Sequence, residues 1–336
     1  MRFALSSEQE QFGATVDALL TEADTPRAAR AWAAGDHGPG LALWRRLADV
    51  GVTGLTAPEA YDGLGAGLVE VTVAFEQLGR HAVPGPLVES LVVVPTLLAG
   101  AQAAGSGAAD SGLAGRWLAG IAAGKTLASL VLPPHVPYAL DADLADPVLV
   151  VDGDSLRSGH VGRPLTSVDP ARRLFVVTAA QPLATNVGAA RGLDAGALAC
   201  AAQLVGAGRS LLDTTVAYAR QRRQFGRPIG AFQAVKHQLA DVLVGLEMAR
   251  PLVYGAAVAL ASDSATAARD ISAAKVAAGD AAYRAARVAL QVHGAIGYTA
   301  EHDLSLWLTK VRALVSAWGT SRWHRTRVRE ALCAAG

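Results

Sequence analysis

Hydrophobic positions in the first third of the chain fall at helical intervals. Phe12, Val16, Leu19 and Leu20 follow Ser7-Glu8-Gln9-Glu10, which reads as a capping box with Ser7 at the N-cap and Glu10 as its reciprocal partner. Leu43, Trp44 and Leu47 mark a second helix that ends near Gly51. Thr56–Gly67, with Pro58, Gly63, Gly65 and Gly67, predicts a turn-rich segment. Helices are predicted to resume over Leu68–Leu78 and Glu89–Ala101, and the Gly-, Ala- and Ser-rich stretch Ala101–Gly115 predicts a surface connection.

The pattern changes near Lys125. Pro133, Pro134, Pro137 and Pro147 discourage helix. Val148–Val151 is a β-branched run, Asp152-Gly153 after it signals a hairpin, and Leu174–Thr178 is a further strand. From Leu193 the period is helical again. Phe232, Val235, Leu239, Val242 and Leu246 follow a/d-like spacing and predict one narrow buried seam. Ile271–Val292 predicts a long alanine-rich helix with Gly294 just beyond its end. The outline is mainly α with a small β module: a helical domain over 1–124, a reduced middle β domain over 125–190 and a helical bundle over 191–336.

Composition sharpens this picture. Hydrophobic residues make up 51% of the chain but aromatics only 5%, which with abundant alanine favours closely packed helices. The net charge of +1 gives no whole-chain case for nucleic acid or an anionic membrane. Cys200 and Cys333 fit neither a disulfide framework nor a metal site, so a reducing compartment is expected. Met1-Arg2-Phe3-Ala4-Leu5 does not read as a signal peptide, and Leu91–Ala104, interrupted by Pro95 and Gly100, is too short to span a bilayer. The expectation is a cytoplasmic helical protein without a membrane span.

The most specific stretch is Arg222-Arg223-Gln224-Phe225-Gly226-Arg227-Pro228-Ile229-Gly230-Ala231-Phe232-Gln233, followed later by Gln291-Val292-His293-Gly294-Ala295-Ile296-Gly297-Tyr298 and Glu301-His302-Asp303. Together these resemble the C-terminal half of acyl-CoA dehydrogenases. In the N-terminal half Trp44, Leu47, Gly51, Gly54-Leu55, Pro58-Glu59, Tyr61, Gly63 and Gly65 fit the same family, as do Glu76-Gln77-Leu78-Gly79-Arg80, Pro84 and Pro86. The resemblance implies an N-terminal helical domain, a middle β domain and a C-terminal four-helix bundle. It also implies FAD-dependent α,β-dehydrogenation of an acyl-CoA thioester. In that reaction a flavin takes hydride from Cβ, a carboxylate takes the Cα proton, and electrons pass on to an acceptor protein.

By the same resemblance, Arg222 reaches the pyrophosphate of a flavin held mainly by a neighbouring subunit. A guanidinium suits that task as an always-charged, two-pronged donor. Gln224, Phe225, Ile229 and Gln233 match the same wall, while Gln291 and Gly294 match positions beside the adenosine; the family usually has a glycine where Ala295 stands. Arg220, Arg223 and Arg227 read as a solvated cationic helix end.

Two features depart from the family. Its flavin-embracing, Gly- and Ser-containing loop is replaced by Val131-Leu132-Pro133-Pro134-His135-Val136-Pro137, whose three prolines carry no N–H donors; His135 reads as a surface residue. Both family positions for the base are also changed, to Trp318 and Gly196, and Ala197 replaces an arginine that commonly sits near the CoA. An indole does not accept a proton, and glycine has no side chain to do so. Glu301, Asp303 and Asp194 read as capping or ion-pair residues, Asp213 and Asp241 as inter-helix partners. The expectation is a subunit that completes a flavin site on an unlike partner supplying the glutamate. The alternatives are a homomeric enzyme with a displaced base, or a non-catalytic scaffold of the same fold.

Overall fold

The computed structural model describes residues 4–103 and 107–334. The helices are α1 (Ser7–Glu22), α2 (Thr25–Ala33), α3 (Gly38–Asp49), α4 (Leu68–Arg80), α5 (Val94–Ala103), α6 (Gly107–Ala122), α7 (Ala189–Gln221), α8 (Gln233–Ala261), α9 (Ala267–His293), α10 (Leu304–Ser316) and α11 (Ser321–Ala334). The strands are β1 (Ser129–Val131), β2 (Ala139–Leu140), β3 (Val148–Asp152), β4 (Ser155–Leu165), β5 (Leu174–Thr185), β6 (Arg223–Gln224) and β7 (Arg227–Pro228). The order is helices, a small sheet, then helices.

The N-terminal cap lies one residue earlier than the sequence pattern indicates. Ser6, not Ser7, is the N-cap: its hydroxyl accepts the Gln9 N–H at 3.3 Å, and Gln9 Oε1 accepts the Ser6 N–H at 3.0 Å. Glutamine replaces Glu10 as reciprocal partner, a choice periodicity does not resolve between adjacent serines. Helix α2 was not foreseen; Asp24 caps it by accepting the Arg27 N–H, and Pro26 lies in its first turn. The expected surface connection Ala101–Gly115 is largely helical, because α6 begins at Gly107. Positions 104–106 of that connection, and Met1–Phe3, lie outside the described residues.

The middle sheet has the order β1-β3-β4-β5-β2, with β1 parallel to β3 and the other pairs antiparallel. Asp152 pairs with Ser155 across the predicted hairpin, and Gly153 adopts a φ of 60° that favours glycine. The strand expected over Leu174–Thr178 continues to Thr185.

Small residues let the helices approach closely. A Cβ on Gly206 of α7 would lie 1.8 Å from the Glu76 carbonyl oxygen of α4, and one on Gly79 of α4 would lie 2.1 Å from the Gln203 carbonyl oxygen of α7. The two helices therefore cross backbone to backbone, glycine beside glycine. On α9, Ala274, Ala278, Ala282, Ala285 and Ala289 are buried in the same way. The expected seam on α8 buries Val242 and Leu246 and continues through Ala249 and Val253. Trp32, Trp44, Phe75 and Trp318 are the bulkiest fully buried side chains. Among the described residues, two helices, α7 and α8, are long and apolar enough to cross a membrane by length and composition. The apolar window of α7 is 89% buried inside the protein, that of α8 33%.

Candidate functional site

The Arg222 motif forms a stiff projecting arm. Helix α7 stops at Gln221, and Arg222 turns to extended backbone while its N–H still donates to the Tyr218 carbonyl at 2.9 Å. Its own carbonyl accepts the Ile229 N–H at 2.8 Å, closing the tiny β6–β7 hairpin. Phe225 and Gly226 at the tip have φ of 51° and 78°, the pairing a two-residue twisted hairpin requires. Phenylalanine is an unusual occupant of left-handed backbone, and its ring is 92% exposed. Below it the Arg227 guanidinium lies 4.2 Å from the centre of the Phe232 ring, whose edge meets Phe225. Arg222, Gln224 and Gln233 are exposed and Ile229 is half-buried. Among the described residues, the side chains of Arg222 and Gln224 have no hydrogen-bond or ion-pair partner.

The second motif stands beside the first. Helix α9 ends at His293, and Gly294 leaves it with φ 65° and ψ −138°. His293 stacks on Tyr218, four residues before Arg222, with ring centres 4.2 Å apart. Its Nδ1–H donates to the Ala289 carbonyl at 2.8 Å, and burial lowers its pKa. This stack ties the ends of α7 and α9 together. Gln291 is exposed and Gly294 half-buried, and Ile296 and Tyr298 beyond them are exposed apolar side chains.

Gly196 and Trp318, the two positions where the resemblance implies a base, touch each other. A Cβ on Gly196 would lie 2.3 Å from Cε3 of Trp318, so the indole occupies the space of any side chain at 196. Trp318 itself is 1% exposed and has a φ of 58°. Buried His324 holds it there: Nε2–H donates to the Trp318 carbonyl at 3.0 Å, and Nδ1 accepts from Ser272 Oγ at 3.1 Å. Burial pushes the His324 pKa down to about 4, which keeps the ring neutral. Lys275 donates to the carbonyls of Leu314 and Val315, satisfying the end of α10 beneath the same turn. Ala197 is fully buried.

The other carboxylates considered from sequence are engaged elsewhere. Asp194 forms a two-pronged pair with Arg327, Asp303 pairs with Arg30, Asp213 with Arg80 and Asp241 with Arg284. Glu301 is exposed.

The proline-rich loop spends its donors on itself. Leu132 N–H donates to the Val136 carbonyl, and the Val136 and His135 N–H groups both donate to the Leu132 carbonyl. With prolines at 133, 134 and 137, no backbone N–H between 132 and 137 remains to hold a flavin ring. These residues do not fit the embrace that the family gives its own cofactor. His135 is also not the surface histidine expected from its loop: it is half-buried, and its ring packs on Trp323 with centres 4.0 Å apart.

Between this loop, β5 and α10 lies a cavity of about 340 Å³ whose wall includes Glu89, His135, Arg172, Ser316 and Trp318. Sequence reasoning missed Glu89. It is 2% exposed, its Oε2 has no hydrogen-bond partner, and burial raises its pKa. The signal was a lone carboxylate opening the apolar run Glu89–Ala101. It stands at the start of a widened helical turn, Glu89–Val93, a feature frequent at functional sites.

Helical flanks around a small middle sheet, with the hairpin arm at the end of α7, make up the acyl-CoA dehydrogenase fold. The chain belongs to the acyl-CoA dehydrogenase family: residues 6–125 match its N-terminal domain and residues 188–333 its C-terminal domain. It is 34% identical over 308 residues to the acyl-CoA dehydrogenase IpdE2 of Mycobacterium tuberculosis, covering 90% of each chain. The Mycolicibacterium smegmatis protein of that name is 33% identical over 96% of this chain and 98% of its own. The solved ChsE4-ChsE5 complex from Mycobacterium tuberculosis includes a chain with the same fold, TM-score 0.82 at 23% identity over 99% of both chains. The FAD complex of PigA superposes with TM-score 0.82 at 19% identity over 100% of both.

Proposed function

We propose that this chain is a subunit of a heteromeric, FAD-dependent acyl-CoA dehydrogenase. It completes a flavin site on an unlike partner, and the partner supplies the catalytic glutamate and most of the acyl-CoA site. The contact between Gly196 and Trp318 carries this reading, because it removes a base from both family positions at once. The self-bonded loop at 132–137 supports it by withholding the donors a resident flavin needs. The exposed arm supports it from the other side: Arg222 and Gln224 are free to donate, and Phe225 stands uncovered.

On this reading Arg222 would hold the pyrophosphate, with Gln224, Phe225, Ile229 and Gln233 along one wall and Gln291 and Gly294 near the adenosine. FAD supplies hydride acceptance when bound. The solved ChsE4-ChsE5 complex shows that a chain of this fold occurs in an assembly of two different chains. Steroid-derived CoA thioesters are the proposed substrate class, and an electron-transfer protein is the proposed acceptor. The test is flavin content by visible absorbance. The chain alone should be colourless and inactive, and co-expression with the partner should give a yellow, active complex. Stoichiometric FAD with turnover by the isolated chain would falsify the proposal.

Glu89 favours a second reading, a homomeric enzyme with a displaced base. In that case Glu89→Gln lowers turnover of the isolated chain by about 10²–10⁴-fold. An active homomer unaffected by the substitution removes this reading's base.

A further inference from the structure

Helix α8 carries a second seam that faces outward. Asp241, Val244, Met248, Pro251, Gly255 and Val258 recur at intervals of three and four residues, which places them along one side of the helix. Val244 is 61% exposed and Met248 67%. A Cβ on Gly255 would meet nothing within 4 Å. This stripe is why only 33% of the apolar window of α8 is buried, against 89% for α7. The inner seam through Val242, Leu246, Ala249 and Val253 already holds α8 in the bundle, so the outer one adds nothing to the fold of a single chain. An exposed apolar stripe about four turns long marks a contact surface.

Spacing and charge identify the occupant. A three-four repeat is the pattern that meshes with another helix. A lipid surface would instead be met by interfacial aromatics, and the seam has none. The charges on α8 run against its own dipole. Its first turn holds no acid and its last turn no base, while Lys236 and His237 stand exposed at its positive end. Lys236 has no hydrogen-bond or ion-pair partner among the described residues. A second α8 laid antiparallel corrects both ends at once, because Lys236 and His237 of each helix then lie beside the negative end of the other. A parallel pair would stack like ends. We propose that the outer face of α8 is a two-fold interface between two copies of this chain, with α8 packed antiparallel on its counterpart. Met248 lies near the axis, Val244 faces the second copy's Leu252, and Asp241, still paired with Arg284 of its own chain, stands opposite Gly255. The contact uses neither Arg222 nor a flavin, so each copy can still present its arm to an unlike partner.

Sedimentation equilibrium of the full chain tests this. A concentration-dependent dimer is expected, dissociating in about the micromolar range or tighter. Met248→Glu should weaken it by about hundredfold or more, because it sets two like charges against each other at the axis. Its circular dichroism should match the parent, since the side chain is exposed. Lys236→Gln should weaken the dimer by roughly three- to thirtyfold at low salt, because two symmetry-related contacts are lost. Orientation is read by disulfide trapping in a Cys333→Ser background. Met248→Cys should link to itself, whereas Val258→Cys should link to His237→Cys in a mixture and not to itself. The complex co-expressed with the unlike partner should give the same Met248→Cys link. A monomer at every concentration, a dimer that survives Met248→Glu, or self-linking of Val258→Cys would each overturn the assignment. So would a Met248→Cys thiol shielded from reagent only by the unlike partner, or only by phosphatidylcholine vesicles. Flavin content with the partner scores the flavin-sharing reading separately, so failure here leaves that reading standing.

Discussion

The indole of Trp318 rests on the bare Cα of Gly196. A Cβ there would come within 2.3 Å of Cε3 and 2.5 Å of Cζ3, closer than side-chain carbons approach one another. The two residues are interdependent: a tryptophan at 318 demands a glycine at 196, and restoring a carboxylate at 196 alone collides with the ring. This contact makes one piece of core from residues 122 positions apart.

A double-mutant cycle tests the contact. Gly196→Ala should destabilise the chain by about 1–3 kcal/mol through overpacking. Trp318→Ala should cost about 3–5 kcal/mol as a buried aromatic truncation. The double variant should be more stable than the sum of the two, because removing the ring makes room for the methyl. Additive values from denaturant unfolding would show that the ring and the glycine do not share space.

The α4–α7 crossing should be less forgiving. A methyl on Gly206 meets the Glu76 carbonyl oxygen at 1.8 Å, a backbone atom that moves only if the helix moves. Gly206→Ala is therefore expected to lower stability by about 3 kcal/mol or more, at the upper end for overpacking. Gly255→Ala on α8, where nothing lies within 4 Å of the added carbon, should be neutral or slightly stabilising. Equal melting temperatures for the two variants would contradict the close crossing.

Two buried groups give opposing pH dependences. His324 is held neutral, with its pKa pushed down to about 4 by burial. Its contribution is fully present above its ordinary value near 6.5 and is lost as pH falls toward 4, a change of order 3 kcal/mol. Asp141 behaves in reverse: burial raises it to about 7, so its contribution is present below about 3.8 and is lost as pH rises toward 7. Asparagine keeps the acceptor for the Trp32 Nε1–H at 2.9 Å and tolerates the φ of 51° found there. Asp141→Asn should thus be more stable than the parent at pH 8 by a few kcal/mol, on the order of 4 at most, and equal to it near pH 3.5. A constant difference across that range would refute the burial argument.

For the arm, the expected result is loss of function without loss of fold. Arg222 is exposed at the end of α7, so Arg222→Ala should leave the melting temperature within about 1 °C, since exposed substitutions rarely exceed ±0.5 kcal/mol. In the complex it should release FAD at least tenfold more readily, and Arg222→Lys should recover little, because an ammonium lacks the two-pronged geometry. Flavin fluorescence released on dilution measures both. Unchanged FAD retention in Arg222→Ala would separate the arm from the cofactor.

Much of this architecture was legible from residue order. The a/d seam on α8, the Asp152-Gly153 hairpin and the end of α9 at Gly294 depend on neighbours a few positions away, so periodicity and turn chemistry suffice to place them. Family motifs located the arm and singled out Gly196 and Trp318. Errors arose where local signals were nearly degenerate: adjacent serines at the first cap, and a small-residue stretch that tertiary packing holds as the helix α6. His135 reads as a surface residue because its loop is proline-rich, while its partner, Trp323, lies far along the chain.

By itself the sequence determined the order of helices, small sheet and helices, most of the turns that end them, and that Arg222, Trp318 and Gly196 stand at positions of a family motif. Only the tertiary structure decided that Trp318 fills the volume over Gly196, that the loop at 132–137 bonds to itself, and that Glu89 is buried on a cavity wall with Oε2 unpartnered. The physical reason is that such relationships depend on how closely packed elements cross. A missing Cβ and a buried carboxyl acquire meaning only from the distant residues that crossing brings against them.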